Sequence, residues 1–141
     1  MARVVLAAVL IGLALAAAAL INRRRVAAAP TQPTWSVPAQ LDRHDFARAA
    51  APWLVVVFSS TTCDSCATVS GLALRLEAGD VAVDVVPVQE RRELHARYHV
   101  EAVPMVVFAD AEGVVRASFV GPPPDDVSLA DVLAGVRSNP L

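Results

Sequence analysis

Cys63 and Cys66 are the only cysteines of the 141-residue chain, and just Asp64 and Ser65 separate them. Two thiols at that spacing can close a disulfide within one short loop, and such a bond forms and breaks readily. The same spacing admits other readings. A zinc site would need four ligands, and His44, His95 and His99, the remaining candidates, are scattered without paired spacing. A purely structural bridge would constrain the unfolded chain little, because its loop is so short. Unpaired core cysteines are a third possibility, set against the context in which the pair lies. Reversible dithiol chemistry is the reading that best uses that context, with no metal and no other cofactor expected.

The context is a strand, a polar loop and a helix. Trp53 to Phe58 is a continuous apolar, largely β-branched run, the pattern of a strand buried on both faces of a parallel sheet. Ser59 to Thr62 reads as a loop. A helix is expected from Cys63 to about Glu77, carrying Ala67, Val69, Leu72, Leu74 and Leu76. As its first residue, Cys63 would face unpaired N–H groups and the positive end of the helix dipole, which favour a thiolate, so Cys63 is the expected nucleophile. Cys66, one turn further in, would resolve the mixed disulfide. Asp64 places a carboxylate beside Cys63 and is expected to oppose the dipole, giving a more reducing couple; adding charge to the helix start without that effect is the alternative.

Further elements follow in an order that positions this loop. Asp42 is a plausible N-cap for a short helix to Ala50 that turns Phe46 and Ala49 or Ala50 inward. Val81 to Val88 is a second strand, completing a βαβ unit, and a helix is expected from about Glu90 to Tyr98. Met105 to Ala109 and Val114 to Phe119 flank Asp110-Ala111-Glu112-Gly113, a hairpin signal. After Gly121 and three prolines, Asp126 or Ser128 can cap a closing helix to Arg137. The fold class is α/β, a mixed central sheet flanked by helices, with the cysteines beyond the carboxyl end of the first strand, where sites gather in such sheets.

On these residues the chain resembles the thioredoxin-like superfamily over residues 41 to 137. The resemblance is carried by Leu54 to Phe58 leading into Cys63-Asp64-Ser65-Cys66, by Glu93 to Pro104, and by the hairpin from Met105 to Phe119 with Gly121 after it. It implies a thiol–disulfide oxidoreductase, a reductase or exchanger acting on protein disulfides and dithiols and supplied by an electron donor that the residues do not identify. It also implies a cis Val103-Pro104 bond facing the cysteines, with Val103 offering its backbone to an extended substrate and Thr62, Asp64 and Ser65 completing the substrate-binding surface. The chain departs from the family at Thr62, where tryptophan is usual, at Asp64-Ser65, where Gly-Pro is usual, and at Val57, where a buried acid is usual. These departures favour slower or more partner-restricted exchange. They also keep open an alternative function, a redox-weak binding module that holds a partner at a membrane.

The membrane enters through the first 25 residues. Val4 to Ile21 carries no charge, and about 18 apolar residues is near the minimum for a spanning helix. Arg23, Arg24 and Arg25 follow it and precede Ala27-Ala28-Ala29, the reverse of a signal peptide's order, so a retained transmembrane anchor is expected rather than a cleaved leader or a core helix. The arginines act as stop-transfer and headgroup contacts. By their count the domain faces the cytoplasm, with the extracytoplasmic side as the alternative. Residues 26 to 40, with three prolines, read as a tether, and residues 41 to 141 as the domain. The 12 basic residues, all arginine, balance against 14 acids to a net charge of −2, with no basic stripe beyond residue 25, so nucleic-acid binding is not expected.

Overall fold

The structure is a computed structural model that describes residues 35–138. The expected anchor, its arginines and most of the tether lie outside the described residues. Within them no helix is long and apolar enough to cross a membrane.

The run at Trp53 to Ser59 forms strand β1, and from Leu54 to Phe58 its side chains are fully buried. Every position is apolar because β1 has a neighbour along each edge and side chains packed on each face. β2 (Val81–Pro87) pairs with it in parallel, and β3 (Met105–Ala109) pairs antiparallel on its other edge. β4 (Val115–Val120) follows β3 as a hairpin, giving a mixed sheet of order β2-β1-β3-β4.

The period of two divides the strands between two cores. Leu54, Val56 and Phe58 join Ala82, Val86, Met105 and Val107 on one face, covered by Phe46, Leu94 and Tyr98. Val55 and Val57 join Val81, Val83, Val106 and Phe108 on the other, covered by Val69, Ala73, Leu129 and Leu133. The first covering set comes from the N-terminal segment and from α2 (Arg92–Arg97) with the residue after it; the second from α1 (Cys66–Leu74) and α3 (Leu129–Ser138). The sheet flanked by helices on both faces thus stands as expected.

Three local expectations change. The helix expected from Asp42 to Ala50 is a single 3-10 turn, Arg43–Asp45, although Asp42 does cap it, accepting from the His44 N–H at 3.0 Å, and Phe46 is buried. The arginines here are committed to distant carbonyls instead of a regular helix. Arg43, 6% exposed, donates to the carbonyls of Asp110 and Ala51, and Arg48, at a φ of 52°, donates to those of Ala78, Gly79 and Val81. The tether also ends earlier than residue 40. Val37 packs against the core, the Val115 N–H donates to the Ala39 carbonyl at 3.0 Å, and the Leu41 N–H donates to the Gly113 carbonyl at 2.8 Å. Gly113 has a φ of +81°, and a Cβ there would lie 2.0 Å from the Leu41 oxygen, so only glycine lets the hairpin and this segment meet.

The third change bears on the cysteines. α1 begins at Cys66, not Cys63, and ends at Leu74. It buries Cys66, Val69 and Ala73, a spacing of three and four that marks its inward stripe, and leaves Leu72 and Leu74 exposed.

Candidate active site

β1 ends at Ser59, and the chain turns twice before α1. The Cys63 N–H donates to the Ser60 carbonyl at 3.3 Å, and the Cys66 N–H donates to the Cys63 carbonyl at 3.2 Å. Thr61, Thr62, Asp64 and Ser65 carry short polar side chains that favour such turns over helix, which is why the helix starts three residues later than the thiol spacing suggests. Cys63 is therefore not the first helical residue but sits in the turn ahead of it.

Cys63 and Cys66 are joined as a disulfide, with Cα atoms 5.4 Å apart. The two sulfurs have unequal surroundings. Cys66, the first residue of α1, is 2% exposed, while Cys63 is half-buried, with its Sγ 3.8 Å from the Ser65 Oγ. An incoming thiol or disulfide can reach Cys63 and is kept from Cys66.

The loop before Cys63 is held from β2. Gln89, two residues past that strand, accepts from the Thr61 N–H at 3.1 Å and donates to the Ser60 Oγ at 2.8 Å; the Ser60 and Thr62 hydroxyls are 3.0 Å apart. The Val88 N–H donates to the Ser59 carbonyl at 2.9 Å, continuing the β1–β2 pairing into the loop. Gln89 was not among the residues picked out from the sequence. Its place just beyond the parallel partner of β1 is the signal that could have found it.

The Val103-Pro104 peptide bond is cis, as the resemblance implies. Pro104 is buried and leads into β3 at Met105, whose partner across the sheet is Phe58, so it lies at the same end of the sheet as Ser59 and the cysteine loop. Its carbonyl accepts from the Gly121 N–H at 2.8 Å. Val103 is half-buried. Thr62 and Asp64 are exposed and Ser65 is half-buried, so all three remain at the surface around Cys63.

A cavity of about 200 Å3 touches both cysteines and is lined by Ser59, Ser60, Thr61 and Ser70. A larger groove of about 610 Å3, between α1 and Pro122 to Pro124, reaches Ser65 but neither sulfur. Among the described residues no three His, Cys, Asp or Glu side chains are grouped as a metal site requires.

Architecture and site together define a thioredoxin-like fold with a dithiol motif at the end of its first strand. A mutant thioredoxin from Halobacterium salinarum superposes with a TM-score of 0.55 at 23% identity, over 76% of this chain and 95% of that one. Mitochondrial thioredoxin 3 from Saccharomyces cerevisiae, in its oxidized form, gives 0.48 at 21% identity, over 63% and 80%. The germline-specific thioredoxin Deadhead from Drosophila melanogaster gives 0.49 at 29%, over 62% and 84%. No family model and no curated protein matches the chain.

Proposed function

We propose that the protein is a thiol–disulfide oxidoreductase that reduces or exchanges disulfides of protein substrates. The observation that carries this reading is the asymmetry of the pair: a disulfide whose Cys63 is within reach of solvent and whose Cys66 is closed off. In the reduced enzyme the Cys63 thiolate attacks one sulfur of a substrate disulfide, forming a mixed disulfide and releasing the other sulfur as a thiolate. Cys66 then attacks Cys63, the second substrate thiolate leaves, and two electrons have passed from the enzyme pair to the substrate. In this reading the backbone of Val103 pairs with an extended substrate as a short strand, and Thr62, Asp64 and Ser65 complete the surface that receives it at Cys63. An electron donor must return the pair to the dithiol.

Insulin reduction tests the reading. The wild type is expected to reduce insulin, Cys63→Ser to be inactive, and Cys66→Ser to accumulate a mixed disulfide that gel shift detects. An inert wild type with no trapped species in either variant would leave a binding module as the better description. We propose further that residues 1 to 25 anchor the chain in a membrane with the domain on the cytoplasmic side, supported by the uncharged Val4 to Ile21 and by Arg23 to Arg25. A topology reporter fused after Leu141 decides the side.

A further inference from the structure

Cys66 must lose a proton before it can attack Cys63, and burial to 2% exposure disfavours its thiolate. None of the groups lining the adjoining cavity is acidic or basic. β1 contributes no charged residue, and Val57, on its face toward α1, is fully buried. The only charge on β2, Asp84, is engaged by Arg91 at 2.9 Å on the sheet's opposite face. Asp64, Glu90 and Glu101, in the loops around this end of the sheet, are exposed, and Arg75 follows the far end of α1.

What the cavity does offer is hydroxyls. Ser59 continues the alternation of Val55 and Val57 and so faces α1. It is 5% exposed, lines the cavity, and its hydroxyl hydrogen-bonds to no described residue. Ser70, one turn beyond Cys66 on α1, lines the same space. The Ser59 hydroxyl has no protein partner and is not sealed from solvent; in this largely apolar recess of about 200 Å3 it and Ser70 are among the few polar groups beside Cys66 that can hold a water, which needs only roughly 15 Å3 and two or more polar neighbours.

We propose that Ser59, aided by Ser70, positions water against Cys66 and so carries its proton away in the resolving step. The Cys66 S–H proton passes to the held water and on to solvent; the thiolate attacks Cys63 Sγ; the Cys63–substrate bond breaks, and the departing thiolate takes up a proton. This rests on the thiol-exchange reading above. Ser59 is a positioning residue, since it acts through the water.

The test uses the reduced full-length chain in mild detergent with an aromatic disulfide, 5,5′-dithiobis(2-nitrobenzoate), whose thiolate product is coloured. The first release reports attack by Cys63 and the second reports resolution by Cys66. Ser59→Val and Ser59→Thr have the same shape and differ by one hydroxyl. In Ser59→Val the second release is expected to slow about tenfold near neutral pH, with its pH midpoint raised and the first release unchanged, while Ser59→Thr stays within about twofold of wild type. Equal second releases and equal midpoints in the two variants would overturn the relay and leave thiol exchange standing. If the wild type releases no thiolate at all, exchange itself falls, and the relay with it.

Discussion

The two faces of the sheet spend polar groups in opposite ways. On the face covered by the N-terminal segment and α2, charge ties distant parts of the chain together. Asp84 accepts from the Ala47 N–H and from Arg91, Arg91 also donates to the Asp45 carbonyl, and Arg97 pairs with Asp42 and Asp45. The Tyr98 hydroxyl donates to Asp45 and accepts from the Asp42 N–H. On the face covered by α1 and α3 the core is wholly apolar until Ser59, and the cavity beside the disulfide is lined by hydroxyls and apolar groups without a charge, Asp64 lying exposed at the surface between the cysteines. Fixed charge holds the first face in register, while no charged side chain lines the cavity beside the sulfur pair on the second.

The comparison breaks most sharply if charge is put where the quiet face has none. Val57→Asp would bury a carboxylate among Val55, Val69 and Val106 with no partner prepared for it, and is expected to lower unfolding free energy by more than about 3 kcal/mol in urea titrations. A loss below about 1 kcal/mol would show that this core admits water or rearranges. The charged face has its own point of failure at its junction with the hairpin. Gly113→Ala must move the Leu41 carbonyl from 2.0 Å and hold alanine at a φ of +81°, so a loss of about 2 to 4 kcal/mol is expected, with exchange by the folded fraction unchanged.

Tyr98 sharpens the comparison through pH. Burial, and then the hydrogen bond to Asp45, pushes its phenol from 10.0 up to about 12. The folded protein therefore holds this proton more tightly than the unfolded chain. The stability it contributes is complete below about pH 10 and is lost as pH rises through about 12. Tyr98→Phe is expected to cost about 1 to 2 kcal/mol at neutral pH and to flatten that alkaline decline, read by thermal denaturation across the range. An unchanged alkaline slope would assign the decline to other groups.

The parts legible in the sequence were those decided by local pattern. β1 announced itself because a strand buried on both faces needs an uninterrupted apolar run, and the hairpin because Gly113 follows Asp110 to Glu112 between two apolar stretches. The disulfide pair was legible from spacing and the cis proline from resemblance. What local pattern could not show was where polar side chains reach. Arg43 and Arg48 look like helix residues until their carbonyl partners at Ala51, Asp110 and Ala78 to Val81 come into view. The start of α1 was misplaced for a related reason: thiol spacing suggested Cys63, while the turn-forming residues on both sides of it postpone the helix to Cys66.

Gln89 tests the comparison where the expected effect is smallest. Among the described residues it is the one side chain that fastens the cysteine loop to the end of β2, through two hydrogen bonds at the surface, and it does so with a neutral amide. Surface bonds of this kind contribute modestly, so Gln89→Ala is expected to change unfolding free energy by less than about 1 kcal/mol. If the loop owes its geometry to those bonds, insulin reduction should nonetheless fall a few-fold, because Thr61 and Ser60 set the direction in which Cys63 is presented. Gln89→Glu separates geometry from charge. It keeps the acceptor for Thr61 but replaces the donor to Ser60 with a carboxylate near the disulfide, and should slow exchange more than alanine if neutrality of this face matters. Equal rates for both variants would mean that the loop tolerates charge and that the uncharged lining of the cavity beside the pair is incidental to its chemistry.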